Sequence, residues 1–208
     1  MLKIWGRNTS SNVQKVMWAM GELKLACERV DIGGPFGKNK EPAYLAMNPN
    51  GLVPTLEEDD GFLLWESNSI VRYLAGKQGA GTLEPADARA RALASQWMDW
   101  QLTVLAPAIG PAFLGLVRTP PEQRDHAAIK ASQAKTGEVM RMFDAHLGKH
   151  PYAAGAAFSI GDIPIGVMAR RFRDLVADRP ALPNFERWYA AIAQRVPFRT
   201  HVSSIPLV

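Results

Sequence analysis

Apolar and polar residues alternate over short distances in the first part of the chain. Residues 2–5 and 28–32 are short segments with strand character, and the segment 12–24 between them has helical spacing. The apolar face of that helix consists of Val13, Val16, Met17, Met20 and Leu23. A strand, a helix and a second strand in this order predict a parallel β-α-β crossover.

The pattern that follows predicts a hairpin between two more helices. Residues 42–47 are sufficient for one or two helical turns, and strands are expected at 54–57 and 62–65. The segment 58–61, Glu-Asp-Asp-Gly, is a hairpin turn signal. A helix over 67–77 completes the order β-α-β-α-β-β-α.

The character of the chain changes after this helix. Three glycines and a proline lie between residues 76 and 85, which is typical of a linker. No convincing strand pattern follows residue 86. The expected helices, the first two broken at Pro120-Pro121, are 87–117, 121–147, about 161–177 and about 183–195. We predict an α/β domain over 1–78, a linker over 79–86 and an all-helical domain over 87–208.

Composition and charge exclude several classes of function. Of the 208 residues, 47% are hydrophobic and 21% charged, as in an ordinary soluble protein, and no apolar run approaches the length of a membrane span. The N-terminus becomes polar too early for a signal peptide, and the single cysteine, Cys27, fits a reducing cytoplasm. The net charge of +4 is dispersed, which disfavours nucleic acid as a partner and favours acidic small molecules.

Two short segments predict a binding site. In 48–56, Asn-Pro-Asn-Gly-Leu-Val-Pro-Thr-Leu, Pro54 precedes a strand, and Glu66 and Ser67 precede a helix. A strand entered through a proline can leave backbone groups free to pair with an extended ligand. A helix N-terminus offers unpaired N–H groups to a carboxylate. Together they predict a cradle for a small, anionic, peptide-like molecule.

The turn before the first helix holds three candidate polar side chains. Ser10, Ser11 and Asn12 each suit a helix N-cap, and capping is the simplest interpretation of all three. The functional interpretation is that a hydroxyl in this turn contacts a ligand sulfur. The cradle favours this second interpretation, since both segments would lie at one edge of a β-α-β-α-β-β-α domain.

The order of these motifs resembles the cytosolic glutathione transferase family. A serine-containing turn is followed by 48–54, Asn-Pro-Asn-Gly-Leu-Val-Pro, and by 66–74, Glu-Ser-Asn-Ser-Ile-Val-Arg-Tyr-Leu, and the resemblance covers essentially the whole chain. It extends to 158–162, Phe-Ser-Ile-Gly-Asp, which is similar to the family's capping box in the second domain. The resemblance implies a thioredoxin-like N-terminal domain, an all-α C-terminal domain, glutathione as cosubstrate, no metal, and a homodimer.

The resemblance also implies a set of glutathione-binding residues. Pro54 would be cis, so that the Val53 backbone pairs with the cysteinyl part of glutathione. Glu66 and Ser67 would hold the γ-glutamyl amine and carboxylate; helix capping is the alternative.

A second pair of residues falls where relatives contact the glycyl end of glutathione. These are Asn39 and, as a possible charge partner, Lys40. A solvated loop is the alternative.

The group that activates the thiol is the most open question. The turn lacks tyrosine and cysteine, which argues against the tyrosine-type classes and against classes that form a mixed disulfide. Ser10 aligns best with the serine of theta-like enzymes, Asn12 matches an asparagine of some bacterial and fungal relatives, and Ser11 is one residue off. We rank them Ser10, Asn12, Ser11.

The electrophile site of such enzymes lies between the first turn and the first long helix of the second domain. The candidates here are Arg7, Trp97, Phe113 and Arg118, with Trp100, Pro111 and Leu114 nearby. Two arginines would suit an anionic cosubstrate such as a halogenated acid. The alternatives are a surface ion pair for Arg7, a helix-end cation for Arg118, and core or interface packing for the tryptophans.

Three functions remain possible on this basis. The first is glutathione transfer to a small electrophile, and the second is glutathione-dependent disulfide reduction, which Asn12 would favour. A non-catalytic interaction module is disfavoured because the implied glutathione contacts are all present. A zinc site at His146 and His150 is disfavoured because no acidic third ligand is evident.

Overall fold

The strands of the N-terminal domain form one mixed sheet in the order β2-β1-β3-β4. The computed structural model describes residues 1–208. The strands are β1 (Leu2–Trp5), β2 (Cys27–Val30), β3 (Thr55–Glu57) and β4 (Leu63–Trp65). β1 and β2 run parallel, whereas β3 is antiparallel to both β1 and β4. The predicted crossover and hairpin are therefore both present.

Three helices accompany the sheet: α1 (Ser11–Glu22), α2 (Pro42–Met47) and α3 (Ser67–Gln78). α1 ends earlier than the predicted 12–24 because Lys24 has a φ of 55°. The Leu25 and Lys24 N–H groups then donate back to the carbonyls of Met20 and Gly21, which satisfies the last turn. Glycine usually marks this arrangement, so a lysine there gives no signal in the sequence.

The second domain is helical throughout and begins with a continuous helical stretch, Ala88–Arg118. That stretch comprises α4 (Ala88–Trp100), a π turn (Gln101–Leu105), α5 (Ala106–Phe113) and a second π turn (Leu114–Arg118). The remaining helices are α6 (His126–Leu147), α7 (Asp162–Leu175), α8 (Pro183–Ala193) and α9 (Val196–Phe198), which continues as a π turn (Arg199–Ser203). α3 ends at Gln78 and α4 begins at Ala88, on either side of the proposed linker.

The start of α6 differs from the predicted residue 121. Residues Pro121–Gln123 form a separate 3-10 turn, and Asp125 caps α6 by accepting a hydrogen bond of 2.9 Å from the Ala128 N–H. The sequence pattern predicted that α6 begins at the second proline, Pro121. The Asp125 cap instead places its start at His126.

The stretch Ala88–Arg118 is long and apolar enough to cross a membrane, which the sequence analysis did not expect of any segment. One side of it is packed inside the protein, as in the core helix of a globular domain. Its fully buried residues include Ala94, Met98, Leu105, Ile109 and Ala112.

One face of α1 joins the two domains. Trp18 is fully buried there, with its ring 5.6 Å from that of Phe158 and 4.8 Å from that of Phe198. Glu22, one turn farther along, accepts hydrogen bonds of 2.7 and 2.6 Å from the Arg195 guanidinium. α1 is therefore packed between the sheet domain and the helical domain.

A buried carboxylate holds the start of α7. Asp162 accepts hydrogen bonds from the Ala153 N–H, the Ser159 N–H and the Trp188 indole at 2.8, 2.9 and 2.8 Å. Burial raises the pKa of Asp162 to about 6, although these hydrogen bonds favour the charged form. The Ser159 hydroxyl accepts from the Gly161 N–H. The capping box at 158–162 therefore stabilises the start of α7, which is a role in folding.

The contact between Trp18 and Gly166 leaves no room for a methyl group. A Cβ on Gly166 would lie 2.7 Å from two ring carbons of Trp18. We expect Gly166→Ala to lower the free energy of unfolding by about 1–3 kcal/mol, because the ring must move in a close-packed junction. Urea denaturation followed by tryptophan fluorescence measures this loss.

Gly76→Ala is the matched control. Gly76 lies in α3, and the nearest atoms to a Cβ there are the Glu84 carboxylate oxygens, in ordinary contact at 3.6 Å. This change should leave the protein equally stable or raise its stability by about 0.5–1 kcal/mol, through higher helix propensity. Equal losses for the two variants would contradict the role of the Trp18 contact.

Candidate active site

The turn between β1 and α1 presents an unused hydroxyl. Ser10 is the N-cap of α1, with extended backbone, but its side chain caps nothing and makes no hydrogen bond within the chain. The turn itself is held by other bonds: the Ser10 N–H donates to the Arg7 carbonyl at 3.2 Å and the Gln14 side-chain amide to the Asn8 carbonyl at 3.2 Å. The Ser10 hydroxyl is therefore free to donate to a ligand.

The next two residues of the turn differ in their contacts. Ser11 is the first residue of α1 and its hydroxyl has no partner in the chain. Asn12 is exposed, and its Oδ1 accepts a hydrogen bond of 3.3 Å from the Ser67 hydroxyl, so its Nδ2 stays free. This bond brings the first turn next to the start of α3, as the sequence analysis expected.

The entry to β3 leaves a backbone edge unpaired. The Val53–Pro54 peptide bond is cis, which confirms the expectation for Pro54. The N–H and C=O of Val53 make no hydrogen bond within the chain, since β3 begins only at Thr55. A Cβ on Gly6 would lie 3.2 Å from the Val53 Cβ, so the first turn contacts this strand entry.

The start of α3 offers one anion and one free N–H group. Glu66 is the N-cap, has a φ of 70°, and is exposed without capping the helix. This left-handed backbone is uncommon for residues other than glycine and is often found at functional sites. The Ser67 N–H has no acceptor in the chain. Glu66 can bind an amine and Ser67 a carboxylate, which together form the head group of an amino acid.

Asn39 and Lys40 brace the loop that leads to Val53. The Asn39 amide donates to the Gly51 carbonyl at 2.8 Å, and the Lys40 ammonium donates to the Asn50 carbonyl at 3.2 Å. Both residues lie beside the cradle as expected, but part of their donor capacity is used in holding the loop.

Arg7 lies across the backbone of the loop after β2. A Cβ on Gly34 would lie 2.8 Å from the Arg7 Nε, so a side chain there would clash. The Nε itself is buried and has no acceptor. Burial, and after it the charge of Arg118, lowers the pKa of Arg7. The two predicted arginines, one from each domain, therefore interact.

Two guanidinium groups lie near the Phe113 ring. The Arg118 Cζ lies 5.6 Å from the centroid of the Phe113 ring, and the Arg171 Cζ lies 3.7 Å from it. Arg171 comes from α7 and was not predicted as a site residue. Burial, followed by the charges of Arg118 and Arg170, lowers the pKa of Arg171 to about 10.

Lys15 is the second residue that sequence reasoning missed. Its side chain is fully buried, and its ammonium has no hydrogen-bond partner. Burial and the charge of Arg171 lower its pKa to about 7, against an opposing effect of Glu66. Its position one turn after Ser11 was the only available signal, because helix spacing places residues i and i+4 on the same face.

The structure places Trp97 away from the other candidates. Its ring packs against Phe143 at 5.1 Å and His146 at 4.6 Å, in the core of the helical domain. Phe113 lies farther along the same helical stretch, roughly 24 Å away at a rise of about 1.5 Å per residue. Trp97 therefore does not join Phe113 and Arg118.

The two histidines considered as zinc ligands lie at the edge of this core, with His146 half-buried and His150 exposed. The His146 and His150 rings are 4.6 Å apart. The His146 Nε2 is hydrogen-bonded to the Ala153 carbonyl at 2.9 Å. The chain contains no group of three side chains of the types that bind metal ions.

Comparison with known proteins decides the family. Residues 5–82 match the N-terminal domain of glutathione S-transferases, and residues 127–191 match the C-terminal domain. Glutathione S-transferase GstB of Escherichia coli strain K12 is 42% identical over 200 residues, which are 96% of each chain. The chain belongs to the glutathione S-transferase family.

Solved structures of the family agree with this fold. The theta class glutathione S-transferase of the citrus canker pathogen Xanthomonas axonopodis pv. citri, described with glutathione bound, has a TM-score of 0.94 at 42% identity, covering 100% of this chain and 99% of its own. Glutathione S-transferase 3 of Zea mays is 32% identical over 217 residues, 99% of this chain and 95% of its own. The predicted thioredoxin-like and all-α domains are confirmed.

The buried ammonium of Lys15 should make the stability of this transferase depend on pH. Its folded pKa of about 7 lies below the ordinary value of 10.5, so the unfolded chain binds more protons between these values. The free energy of unfolding of the wild type should therefore rise with pH over this range. Lys15→Met lacks this rise, so it should be more stable than the wild type near pH 6.5, by on the order of a few kcal/mol.

Urea denaturation at pH 6.5 and pH 9.5 measures this difference. The advantage of Lys15→Met should shrink at the higher pH, where lysine is neutral. Lys130→Met, which changes an exposed lysine of α6, should show no such trend. A constant difference between Lys15→Met and wild type at both pH values would show that Lys15 keeps an ordinary proton affinity.

Proposed function

We propose that this transferase binds glutathione in the cradle and uses its thiolate to attack small anionic electrophiles, such as halogenated acids. One observation carries the glutathione part of the proposal: the Val53 backbone, the Glu66 carboxylate and the Ser67 N–H are all unpaired at one edge of the sheet domain. These are the groups that a γ-glutamyl-cysteinyl ligand would use. The glutathione bound to the similar Xanthomonas enzyme supports this assignment.

Each part of glutathione has a proposed partner. The cysteinyl backbone pairs with Val53, as a short added strand. The γ-glutamyl amine binds Glu66, and its carboxylate binds the Ser67 N–H at the α3 N-terminus. The glycyl carboxylate lies toward Asn39 and Lys40.

Activation of the thiol needs a direct hydrogen bond. A thiol of pKa about 8.5 is only about 3% thiolate at pH 7, and lowering the pKa by about two units requires about 2.7 kcal/mol. The dipole of α1 supplies about 0.3–1 kcal/mol, rarely about 2. Ser10 is our first choice for the remaining donor because its hydroxyl is free. Asn12 comes second, through its free Nδ2, and Ser11 third.

The electrophile is proposed to bind against Arg7, Phe113 and Arg118. The guanidinium of Arg118 lies by the Phe113 ring and interacts with Arg7. A carboxylate can pair with either fork, and the aromatic ring can cover the carbon skeleton. The glutathione sulfur then attacks the carbon that bears the halogen. The C–S bond forms, the C–halogen bond breaks, and the halide leaves with the electron pair.

The first experiment tests the cradle. Isothermal titration calorimetry with glutathione at millimolar concentration should detect binding to the wild type. Glu66→Gln should weaken binding about tenfold or more, since the ligand amine loses its charged partner. The control Glu28→Gln changes an exposed carboxylate on β2 and should bind as the wild type does. No binding to the wild type would overturn both the transferase and the reductase proposals.

The second experiment tests the thiolate donor. Ser10→Ala should raise the pKa of bound glutathione by about 1–2 units, because the thiolate loses a hydrogen bond. The ultraviolet absorbance of the thiolate across pH measures the shift. Ser11→Ala changes the adjacent hydroxyl, which ranks third, and should shift the titration less than Ser10→Ala does. If Asn12→Ala shifts the titration and Ser10→Ala does not, Asn12 is the donor.

Glutathione-dependent disulfide reduction is the second candidate reaction. The free Nδ2 of Asn12 supports it, because it can donate to a sulfur at the same place as Ser10. This reaction requires two glutathiones, or one glutathione disulfide, at each site. Faster turnover of a mixed glutathione disulfide than of any halogenated acid would favour it. The non-catalytic alternative stays disfavoured because the groups of the cradle are retained.

We also propose a cytoplasmic homodimer, formed through the first long helices and an edge of the sheet domain. Several large apolar side chains of Ala88–Arg118 are exposed to solvent, which supports this assembly. They are Leu93, Leu102, Val104 and Leu114.

A further inference from the structure

Four cations on the electrophile side of the site have no anionic partner. They are Arg7, Lys15, Arg118 and Arg171, which we call the cationic cluster: their charged side-chain groups make no hydrogen bond within the chain, and none lies within 4.0 Å of a carboxylate. Arg170, the neighbour of Arg171, differs: it pairs with Asp174 at 3.3 Å and donates to two backbone carbonyls. The pairing of Arg170 is structural, whereas the cationic cluster is left open.

The members of the cationic cluster lie close to one another. Arg118 and Arg171 share the Phe113 ring, so their guanidinium carbons cannot be farther apart than 3.7 Å and 5.6 Å laid end to end. Burial is the main cause of the lowered pKa values of Arg7, Arg171 and Lys15; after it, the charge of Arg118 lowers those of Arg7 and Arg171, and the charge of Arg171 lowers that of Lys15. Glu66 is the one carboxylate that acts on Lys15 in the opposite direction.

Like charges held together destabilise the unliganded protein. A bound anion would relieve that repulsion.

Glutathione and one carboxylate leave this charge only partly neutralised. The two carboxylates of glutathione are proposed to bind elsewhere, at Ser67 and toward Lys40. A single carboxylate forms its best contact with one guanidinium fork. A monocarboxylic electrophile held by Arg118 and Arg7 would therefore leave the Arg171 guanidinium, which also lies by the Phe113 ring, without an anionic partner.

We propose that the preferred electrophile is a dianion, with one carboxylate held by Arg118 and Arg7 and the second held by Arg171. Lys15 is fully buried, so its ammonium, where protonated, adds positive charge without touching the ligand. Arg171 is thus a specificity-determining residue for a small dicarboxylic acid with a leaving group on a carbon between its carboxylates. This proposal rests on the proposed glutathione transfer. The reaction is the same displacement of halide by the glutathione sulfur, and both carboxylates stay intact.

A matched pair of substrates tests the second carboxylate. 2-Bromosuccinate and 2-bromopropanoate share the α-bromo carboxylate and differ in the additional carboxylate of the former. The kcat/KM for formation of the glutathione thioether should be about 10- to 100-fold higher for 2-bromosuccinate in the wild type. Arg171→Gln should abolish that preference, because it should lower the value for 2-bromosuccinate much more than the value for 2-bromopropanoate.

Two further variants separate the role of Arg171 from folding. Arg171→Lys keeps the charge without the fork, and should restore part of the preference for the dianion. Arg89→Gln removes an exposed arginine of α4 that has no partner, and should leave both values unchanged. Equal use of the two acids by the wild type would overturn the proposal. So would equal loss for both acids in Arg171→Gln.

Binding of unreactive acids distinguishes failure of this proposal from failure of the proposed function. Calorimetry compares succinate with propanoate on the protein saturated with glutathione. Tighter binding of succinate that is lost in Arg171→Gln supports the dianion site, even if neither bromo acid is converted, and only the transfer proposal then fails. Equal binding of the two acids overturns the dianion site, even if both bromo acids are converted.

Discussion

The packing of α1 against α7 is the contact on which the site depends. Trp18 is fully buried over Gly166, so the two helices approach closely at one point along their lengths. α1 carries the Ser10 turn at one end of this contact, and α7 carries Arg171 on its farther turns. The same junction therefore positions both Ser10, the candidate hydrogen-bond donor to the thiolate, and Arg171, the candidate anion-binding residue. A shift at Trp18 would move the two halves of the site relative to each other.

The site is built largely from groups that the fold leaves unpaired. Most buried polar groups in proteins have partners, because desolvation without a hydrogen bond is costly. Here the Val53 backbone, the Ser67 N–H and the Arg7 Nε have none in the chain. In the proposed function, each pairs with a different part of the two bound ligands. The free energy that these unpaired groups cost the free protein is regained when a ligand pairs with them. Their lack of partners therefore indicates a binding site.

Local sequence signals predicted those features of the site that lie within a single turn of the chain. The cis bond at Pro54 and the N-cap position of Glu66 belong to single turns, so their residues could be recognised without a fold. The order of strands and helices along the chain was predicted from the same kind of local pattern, whereas the pairing of β1 with β3 is a long-range contact that no local pattern indicates. The end of α1 was missed because Lys24 adopts a conformation that usually needs glycine. Arg171 was missed because it is one of three arginines within four residues of α7, and only the tertiary packing shows which of them meets Phe113.

The two halves of the site discriminate between ligands by different means. In the proposed function, the cradle binds glutathione through hydrogen bonds of fixed direction, at the Val53 backbone and the Ser67 N–H, so it would select for shape and peptide geometry. The electrophile side has charge and one aromatic ring, and guanidinium forks accept many carboxylates in similar geometry. Such a surface selects for the number and spacing of negative charges more than for the carbon skeleton. A transferase arranged in this way would be specific for glutathione and would accept a class of small anionic electrophiles as its second substrate.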